Sequence, residues 1–548
     1  MQNKSWQGKT LVLVMSLCLL LSVSVPGQAT PAPNVIVLMT DGTNATATTL
    51  SRWYKGAALP TDAITVGGVR TYGADSIITD SAPAASAFAT GHKTDDKFIS
   101  VLPPKVIVPG VPQTPAGMEY KPVASILEGA RLAGKATGLV VTCNIQHASP
   151  AGFSAHWPDR SNYFEIGKQQ VYENIDVVFA GGKQYLLPKD QGGTRTDGEN
   201  LLSVLKSRGY GLVENRQDMK QFQGSKVWGL FADDAMAYDM DRPLLRPQEP
   251  TLAEMTAKAI EILQQKPQGF FLFVEGSKVD WAAHANDPIG VISDTLAFQA
   301  AVGTALDFAR KDGNTLVLVF ADHGTGGMSI GAYRDPNYSS TKLETLIEPL
   351  KKATLTGEGI ERVLAGRQGE TSIRQVMDEY YGVNDLTVQE VADIQKAKSG
   401  AMNYVVGPII SKRSIVGWTT NGHVGEDLFL YAYGPGKPAG LVENKDLAYI
   451  AARAMGFDLD QADNRLFVEA GAAVSEIGAV AVIDNSNAAS PILMVKKAGK
   501  VAELPCSTNL LSFDGKTVEM NGITVFAPKT GKAYIPRQAV ELLRAAGM

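Results

Sequence analysis

Five short runs of the chain are apolar at every position, without the alternation expected of a strand that faces water on one side. Runs of this kind are typical of parallel strands that are covered on both faces. The five predicted strands are residues 35–39, 138–141, 270–274, 316–320 and 428–432. Helical patterns separate them at residues 123–133, 252–265 and 292–310. The alternation predicts an α/β fold with a large, mostly parallel central sheet flanked by helices.

Polar residues with catalytic potential follow most of these strands directly. Asp41 follows the first strand and residues 144–149 follow the second, while Glu275 follows the third and Asp322-His323 the fourth. In open parallel sheets, ligands bind outside the carboxyl ends of the strands. We therefore expect these side chains to lie together at one edge of the sheet.

Two regions depart from the alternation of strand and helix. Residues 339–400 are charged and favour helix, and we interpret them as the body of a cap-like insertion that ends by about residue 415. From residue 461 the chain is rich in Ala, Gly and Val, and strand-like pieces follow with turn signals such as Asp514-Gly515. These shifts predict a catalytic domain at residues 30–460 and a small C-terminal α+β domain at residues 461–548.

The first residues have the features of a secretory signal. Lys4 and Lys9 precede an apolar stretch at residues 11–25, and small residues then occupy the two positions that a signal peptidase reads. A membrane anchor is the alternative, but about fifteen apolar residues fall short of the roughly twenty that a spanning helix needs. We interpret residues 1–29 as a cleaved signal peptide, which predicts a periplasmic or extracellular protein with no membrane-spanning segment.

Cysteine content and charge narrow the picture further. Cys18 would be removed with the signal, which leaves Cys143 and Cys506, and their separation does not predict whether they pair. The chain has a net charge of −5 over 548 residues and no basic run. A protein that grips a polyanion usually shows such a run, so we expect no nucleic acid partner.

Aspartate and histidine recur in settings that suit a metal ion. Asp280 and His284 are four residues apart in a predicted helix, which places both on one face, although an isolated pair of this kind is more often a surface accident. Asp322-His323 follows a strand, and His423 precedes another. Imidazole together with carboxylate suits Zn²⁺, whereas oxygen ligands alone suit Mg²⁺.

Ser81 is the candidate nucleophile. It follows Asp80 and precedes an Ala-rich helical segment with Pro83 in its first turn. A serine at a helix N-terminus lies where the dipole and free N–H groups favour an anion. For an isolated Asp-Ser-Ala sequence, a simple N-cap is the more common explanation.

Five blocks of the chain together resemble one known family. They are Asp41-Gly42, Asp80-Ser81-Ala82, Glu275 through His284, Asp322-His323-Gly324 and Gly422-His423. In content and order they are similar to the motifs of the alkaline phosphatase family, over roughly residues 34–457. Several ordered motifs are far more specific than any one of them.

The resemblance implies Ser81 as the nucleophile beside two Zn²⁺ ions and a third metal that is usually Mg²⁺. The ligands that it implies are Asp280, His284 and His423 for one zinc, Asp41, Asp322 and His323 for the second, and Glu275 with the hydroxyl of Ser149 for the third metal. Asp41 would bridge toward the third metal.

Arg160 aligns with the family's phosphate-binding arginine, whose planar fork can hold two phosphate oxygens. Two neighbouring positions depart from the best-known bacterial pattern. His147 stands where some members have an aspartate near the third metal, and Trp281 where some have a lysine near the phosphate. His147 is then either a group at or around the third metal or a packed structural histidine. Without that lysine, Arg160 should carry more of the phosphate binding.

The function that the resemblance implies is an exported phosphomonoesterase that forms a phosphoserine at Ser81. Relatives on the same fold act on phosphodiesters, sulfate esters or phosphonates, which keeps these activities as alternatives. A surface binding protein with an inactive catalytic domain is the alternative of another class. We expect the C-terminal domain to serve attachment, and a homodimer stays open.

Overall fold

A central sheet of ten strands organises the protein. The computed structural model describes residues 33–331, 338–367 and 369–548, and the predicted signal peptide lies outside them. Fourteen strands precede the C-terminal region: β1 (Asn34–Thr40), β2 (Thr65–Arg70), β3 (Ala136–Asn144), β4 (Val177–Gly181), β5 (Gly211–Val213), β6 (Val227–Leu230), β7 (Phe270–Gly276), β8 (Thr315–Ala321), β9 (Gly324–Thr325), β10 (Ser329–Ile330), β11 (Val416–Gly417), β12 (His423–Val424), β13 (Leu428–Tyr433) and β14 (Gly440–Glu443). The central sheet has the order β14-β2-β13-β8-β1-β7-β3-β4-β6-β5.

Helices cover both faces of this sheet. They are α1 (Ala45–Lys55), α2 (Ser81–Thr90), α3 (Ile126–Leu132), α4 (Ala148–Ser154), α5 (Tyr163–Tyr172), α6 (Leu201–Ser207), α7 (Arg216–Gln221), α8 (Arg242–Leu245), α9 (Leu252–Leu263), α10 (Lys278–His284), α11 (Pro288–Asp312), α12 (Leu343–Lys351), α13 (Gly357–Leu364), α14 (Glu370–Tyr381), α15 (Val388–Lys396), α16 (Met402–Arg413), α17 (Asn444–Met455), α18 (Leu459–Leu466), α19 (Ala470–Ser475) and α20 (Arg537–Ala545).

Strand β1 shows why the predicted strands are apolar throughout. Val35 and Val37 pack into a core with helices such as α2, α3 and α17 on one face of the sheet. Ile36 and Leu38, which alternate with them, pack into a second core with α9 and α11 on the other face. Both faces are dry, so every position must be apolar. The predicted α/β class with a large, mostly parallel sheet is confirmed.

One predicted strand runs in the opposite direction. The interpretation of residues 428–432 as a parallel strand was wrong, because β13 is antiparallel to both of its neighbours, β8 and β2. The chain passes His423 at the carboxyl edge of the sheet shortly before β13 begins. It therefore enters β13 from that edge and runs back. An apolar run indicates that a strand is buried, but it does not indicate the direction in which the strand runs.

Helix α11 bears on the membrane question. Among the described residues it is the one helix long and apolar enough to cross a membrane, with a mean hydropathy of 1.4 over its most apolar window. Within the protein, 72% of that window is buried, because α11 packs on the central sheet and against α9 and α1.

The region interpreted as a cap forms five helices, α12 to α16, with their own apolar core. That core includes Val279 and Ala282 of α10, a helix that also carries Asp280 and His284. The cap is thus packed directly onto an element of the candidate site. Apolar contacts between the cap helices and α10 therefore hold the cap in its position.

The C-terminal region contains two small antiparallel sheets. Its strands are β15 (Val468–Glu469), β16 (Val480–Asp484), β17 (Ile492–Lys497), β18 (Lys500–Pro505), β19 (Leu510–Phe513), β20 (Lys516–Glu519), β21 (Val525–Ala527) and β22 (Lys532–Ile535). The predicted start at residue 461 falls inside α18, where Leu466 packs with Ala124 and Ile523. Cys143 and Cys506 are both buried free thiols, so the disulfide that the sequence left open is not formed.

Candidate active site

Four adjacent strands deliver the predicted site residues to one edge. In the sheet, β8, β1, β7 and β3 are consecutive neighbours, all parallel. Asp322 follows β8, Asp41 follows β1, Glu275 lies near the end of β7, and Ser149 is in α4 just beyond β3. Residues that are hundreds of positions apart in the chain therefore meet because their strands are adjacent.

Ser81 lies at the head of α2 and is 2% exposed. Its hydroxyl donates to Oδ1 of Asp41 at 3.4 Å and lies 3.1 Å from Nε2 of His323. The N-cap residue is Asp80, so the reading of Ser81 as a simple N-cap does not hold. Asp80 makes no side-chain capping bond and instead accepts from Arg160.

The first cluster of potential ligands consists of Asp41, Asp322 and His323. Nε2 of His323 lies 3.4 Å from Oδ1 of Asp41 and 3.3 Å from Oδ2 of Asp322. Backbone N–H groups of Gly42 and His323 donate to Oδ1 of Asp322 at 3.1 Å and 2.9 Å, which fixes that carboxylate. All three side chains are buried.

The second cluster consists of Asp280, His284 and His423. Nε2 of His284 lies 3.2 Å from Oδ2 of Asp280 and 3.1 Å from Nε2 of His423. Nδ1 of His284 faces the Asn421 carbonyl at 2.5 Å, and Nδ1 of His423 faces the Thr79 carbonyl at 2.9 Å. Because a carbonyl only accepts, each Nδ1 carries a proton, which leaves each Nε2, facing Asp280, as the ring atom that a metal can bind. Two Nε2 atoms that converge on one carboxylate form a metal-ligand geometry.

Gly42 brings the two clusters together. Its φ is +66°, and a Cβ there would lie 2.5 Å from Oδ1 of Asp280. Only glycine therefore allows the turn after Asp41 to pass this close to α10. The close approach of Asp280 therefore explains why glycine follows Asp41.

A third cluster joins Glu275 to His147 and to Cys143, a residue that the sequence analysis did not place in the site. Sγ of Cys143 lies 3.6 Å from Oε2 of Glu275. Burial raises the pKa of the Cys143 thiol well above its usual value, and the charge of Glu275 raises it further. Ser149, the predicted third-metal ligand, is fully buried nearby in α4. The position of Cys143 at the carboxyl end of β3 was the available signal.

The buried carboxylates repel one another in the absence of a cation. Burial raises the pKa of Asp322 to about 7 and, with the charge of Asp322 added, that of Glu275 to about 8. Burial and then the charges of Asp322 and Asp280 raise the pKa of Asp41 well above its usual range. Asp280 is the exception, since its histidine neighbours outweigh burial and hold its pKa low. Positive charge at this edge would remove the repulsion.

Unpartnered atoms show that the residues present fit metal ions. Among the described residues, five buried polar atoms of the site have no hydrogen-bond partner: Oδ2 of Asp41, Oδ2 of Asp322, Oε1 of Glu275, Oγ of Ser149 and Nδ1 of His147. Leaving such atoms unpaired costs about 1–3 kcal/mol each. Divalent ions bound by carboxylate, hydroxyl and imidazole would satisfy all of them.

Arg160 lies beside the nucleophile. Its Nη1 donates to Oδ2 of Asp80 at 2.5 Å, and its Nη2 lies 3.1 Å from Nε2 of His147. The ring of His147 contacts that of Trp281, with centroids 5.9 Å apart. The structure thus places Arg160, His147 and Trp281 next to one another.

Trp281 also touches the cap through a buried lysine. Lys278 is 2% exposed and lies over the rings of Tyr238 and Trp281, at 3.9 Å and 5.3 Å from their centroids. Its Nζ pairs with Glu358 of α13 at 3.0 Å. The sequence analysis missed this link, because the partners lie in separate regions of the chain.

Two cavities adjoin the clusters. One of about 610 Å³ is lined by Asp80, Pro83, His284 and His423 among others and opens to solvent. The other, of about 850 Å³, lies between Trp281 and cap helices α13 to α16. The first gives a small molecule direct access to the histidines of the second cluster.

Two further histidines lie outside the three clusters among the described residues. His156 is buried and bonded through both ring nitrogens, to the Ser100 carbonyl at 3.0 Å and to Glu128 at 3.1 Å. His92 is partly buried.

Buried carboxylates and imidazoles around a serine at the carboxyl edge of a parallel sheet define a metal-dependent hydrolase. A model of the alkaline phosphatase family matches residues 32–457 of the chain. Alkaline phosphatase 3 of Bacillus subtilis is 36% identical over 453 residues, which cover 79% of this chain and 91% of the relative. The solved alkaline phosphatase of Thermus thermophilus has a TM-score of 0.68 at 26% identity, covering 79% of this chain and 93% of that one.

A third relative has been solved with a bound metal ion. It is the alkaline phosphatase of the Antarctic bacterium TAB5, as a variant with a histidine replaced by aspartate and Mg bound in the M3 site. It is 25% identical with a TM-score of 0.56, covering 78% of this chain and 99% of that one. The chain belongs to the alkaline phosphatase family, and it is a phosphatase.

Proposed function

We propose that this chain is an exported, metal-dependent phosphomonoesterase that forms a phosphoserine at Ser81. The observation that carries the proposal is the position of the Ser81 hydroxyl, 3.1 Å from His323 and 3.4 Å from Asp41, beside Arg160. A serine hydroxyl is a weak nucleophile unless a base or a metal activates it. The side chains next to this hydroxyl, Asp41 and His323, are a carboxylate and an imidazole, which are groups that bind metal ions.

The proposed metal ligands follow the three clusters. Asp280, His284 and His423 hold one Zn²⁺, Asp41, Asp322 and His323 hold a second, and Glu275, Ser149 and His147 surround a third divalent ion. When bound, these ions supply Lewis acidity that lowers the pKa of the serine hydroxyl and neutralises charge on the phosphoryl group and the leaving oxygen. The two clusters of carboxylate and imidazole suit zinc.

The reaction proceeds in two steps at Ser81. The Oγ of Ser81 attacks phosphorus as an alkoxide, and its proton is lost to solvent through the open cavity. The bond from phosphorus to the leaving oxygen breaks, and that oxygen takes up a proton from solvent, which gives phosphoserine and an alcohol. A water then attacks phosphorus from the side that the alcohol vacated, and inorganic phosphate leaves while Ser81 recovers its proton. Both steps are in-line displacements.

Arg160 binds two non-bridging phosphate oxygens through its planar fork. Its guanidinium is held by Asp80, so the group is pre-oriented before substrate arrives. A dianionic terminal phosphate uses all of this positive charge, which favours a monoester over a diester. Trp281 offers no second cation at this position.

The test is direct trapping of the phosphoserine. Acid quench during turnover of labelled p-nitrophenyl phosphate should leave label on Ser81 in the unaltered protein. Ser81→Ala should lose both the label and most turnover while keeping its metals, whereas the exposed Ser207→Ala serves as a matched control. Full activity in Ser81→Ala would overturn the assignment.

Substrate class is tested by comparing turnover of p-nitrophenyl phosphate with its diester and sulfate analogues. The monoester should be preferred, and preference for either analogue would favour the alternative activity on the same fold. Absence of all three activities in metal-loaded protein would favour a binding protein instead. Elemental analysis shows whether the metals are present.

Export, attachment and assembly are further parts of the proposal. The apolar stretch at residues 11–25 with its flanking lysines supports a cleaved signal and a periplasmic or extracellular location. The region from residue 461 supports an accessory role in attachment, since it holds no histidine for the metal centre. A homodimer is tested by light scattering, and the mature N-terminus by sequencing secreted protein.

A further inference from the structure

We propose that Cys143 is a ligand of the third metal and that this position therefore selects Zn²⁺ over Mg²⁺. The inference rests on the proposed function, because it concerns a metal of the same centre. It replaces the expectation of Mg²⁺ that the family resemblance gave. The two zinc clusters contain no sulfur, so sulfur ligation reports on the third position alone.

The strand pairing brings the thiol to the site. Cys143 is the second-last residue of β3, and Val141 of that strand lies opposite Glu275 of β7. Cys143 is fully buried, and its Sγ is 3.6 Å from Oε2 of Glu275. One ring nitrogen of His147 lies within 4.8 Å of both atoms.

The distance between sulfur and oxygen matches shared coordination. Zinc binds thiolate sulfur at about 2.3 Å and carboxylate oxygen at about 2.0–2.2 Å, so a tetrahedral ion separates the two ligand atoms by about 3.6 Å. The Sγ of Cys143 and the Oε2 of Glu275 already have that separation.

Three residues of this part of the site carry unpartnered atoms. Oε1 of Glu275, Oγ of Ser149 and Nδ1 of His147 are buried without a hydrogen-bond partner in the part of the chain that the structure describes. Glu275 and Ser149 are fully buried. Buried polar atoms are almost always paired, so these three atoms are suited to be ligands of a cation.

The chemistry of the donors decides which cation. Mg²⁺ requires near-octahedral oxygen ligands and keeps several waters. Here the available donors are one sulfur, one nitrogen and the oxygens of Glu275 and Ser149, and thiolate with imidazole is a zinc set. The thiol binds as its thiolate and releases one proton to solvent.

Metal binding at His147 has a consequence for Arg160. In the structure Nη2 of Arg160 lies 3.1 Å from Nε2 of His147, which must accept because a guanidinium only donates. Ligation through Nδ1 moves the ring proton to Nε2, where it faces the guanidinium donor. That contact is then lost, and this arm of Arg160 is free for a phosphate oxygen.

Cadmium is the spectroscopic probe, since it occupies zinc sites and gives a thiolate-to-metal charge-transfer band in the ultraviolet. The full chain is stripped of metal and titrated with Cd²⁺ while bound metal is counted. We expect the band to grow with one of three bound equivalents. Cys143→Ala should lose the band, whereas Cys506→Ala, the other buried free thiol, should keep it.

The outcomes separate this inference from the proposed function. Three bound ions without a sulfur band, or a band that survives in Cys143→Ala, would overturn the thiolate ligand and leave the phosphomonoesterase intact. Fewer than two bound ions in the unaltered protein would instead remove the proposed metal centre and, with it, this third position.

Two measurements do not depend on the folding of Cys143→Ala. X-ray absorption of the zinc-loaded unaltered protein should show a Zn–S distance of about 2.3 Å, and a purely nitrogen and oxygen shell would contradict the inference. Dialysis against equal Zn²⁺ and Mg²⁺ should give three zinc ions per chain. In Cys143→Ser we expect third-site zinc to be retained at least roughly 10-fold more weakly. Two zinc and one magnesium in the unaltered protein would overturn the selectivity.

Discussion

Two buried pairs of histidine and carboxylate in this protein have opposite characters. His156 and Glu128 of α3 are completely satisfied, since both ring nitrogens of His156 are bonded and Oε2 of Glu128 accepts from the Ser125 N–H at 2.8 Å. His323 and Asp41 lie at the sheet edge, where Oδ2 of Asp41 has no partner among the described residues. Burial and residue type are the same in both places. What distinguishes a structural pair from a metal site is the unpaired atom.

Among the changes that test this comparison, removal of metal should have the largest effect on activity and stability. Chelation leaves Asp41, Asp322 and Glu275 buried without a cation, so we expect activity to disappear and thermal stability to fall. Saturating ligand at about 100 times its Kd contributes roughly 2.7 kcal/mol per site. Calorimetry with and without chelator measures the fall, and zinc should restore both properties. Unchanged activity after verified metal loss would contradict the metal centre.

Single histidine replacements should separate the two regions. His423→Ala should lose one zinc and nearly all turnover with little loss of fold, because its ring is partly exposed. His156→Ala leaves Oε1 of Glu128 buried without its partner, which costs roughly 3–5 kcal/mol. It should keep its full metal content. Elemental analysis and denaturant unfolding of both variants are the measurements, and zinc loss in folded His156→Ala would erase the distinction.

Arginine replacements extend the comparison. Arg160→Lys keeps the charge but loses the bidentate fork, so we expect kcat/KM to fall roughly 10- to 100-fold, about 1.4–2.8 kcal/mol in the transition state. Arg131, which pairs with the buried Glu173 at 3.1 Å, is the matched control. Arg131→Lys should change stability and leave kcat/KM within about 2-fold. Equal losses of kcat/KM in Arg160→Lys and Arg131→Lys would contradict the phosphate-binding role of Arg160.

The pH dependence of stability should show the smallest effect. Although burial opposes it, the carboxylate of Glu128 raises the pKa of His156 above its usual value. A raised pKa means that the contribution is complete below pH 6.5 and declines as pH rises through the folded pKa, by at most about 1.4 kcal/mol per pH unit. The difference in unfolding free energy between the unaltered protein and His156→Gln should therefore shrink above pH 6.5. A difference that grows with pH would have the wrong sign.

Local patterns were sufficient to predict several parts of the site. Asp41, Asp322 and His323 directly follow apolar strands, and the sequence placed them at a common edge before any contact was known. The four-residue spacing of Asp280 and His284 likewise needs only the geometry of a helix turn. In both cases the deciding information lies within a few neighbouring residues.

Other parts depend on contacts between distant segments. In the sequence, nothing distinguishes Cys143 from an ordinary buried strand residue. Its place in the site becomes apparent only from the pairing of β3 with β7, the strand that carries Glu275. The pairing of Lys278 with Glu358 joins α10 to the cap, and no periodicity predicts it. The reversed direction of β13 has the same origin, because an apolar run is equally buried in either direction.

By itself, the sequence determined the class of fold, the strands that carry chemistry and the residue types available at their ends. These follow from short-range physics: burial on both faces requires apolar runs, and ligands follow strands. The tertiary structure alone decided which side chains meet, which of their atoms stay unpaired, and that a thiol lies among them. Those facts depend on the order of strands in the sheet, which is set by packing of the whole chain.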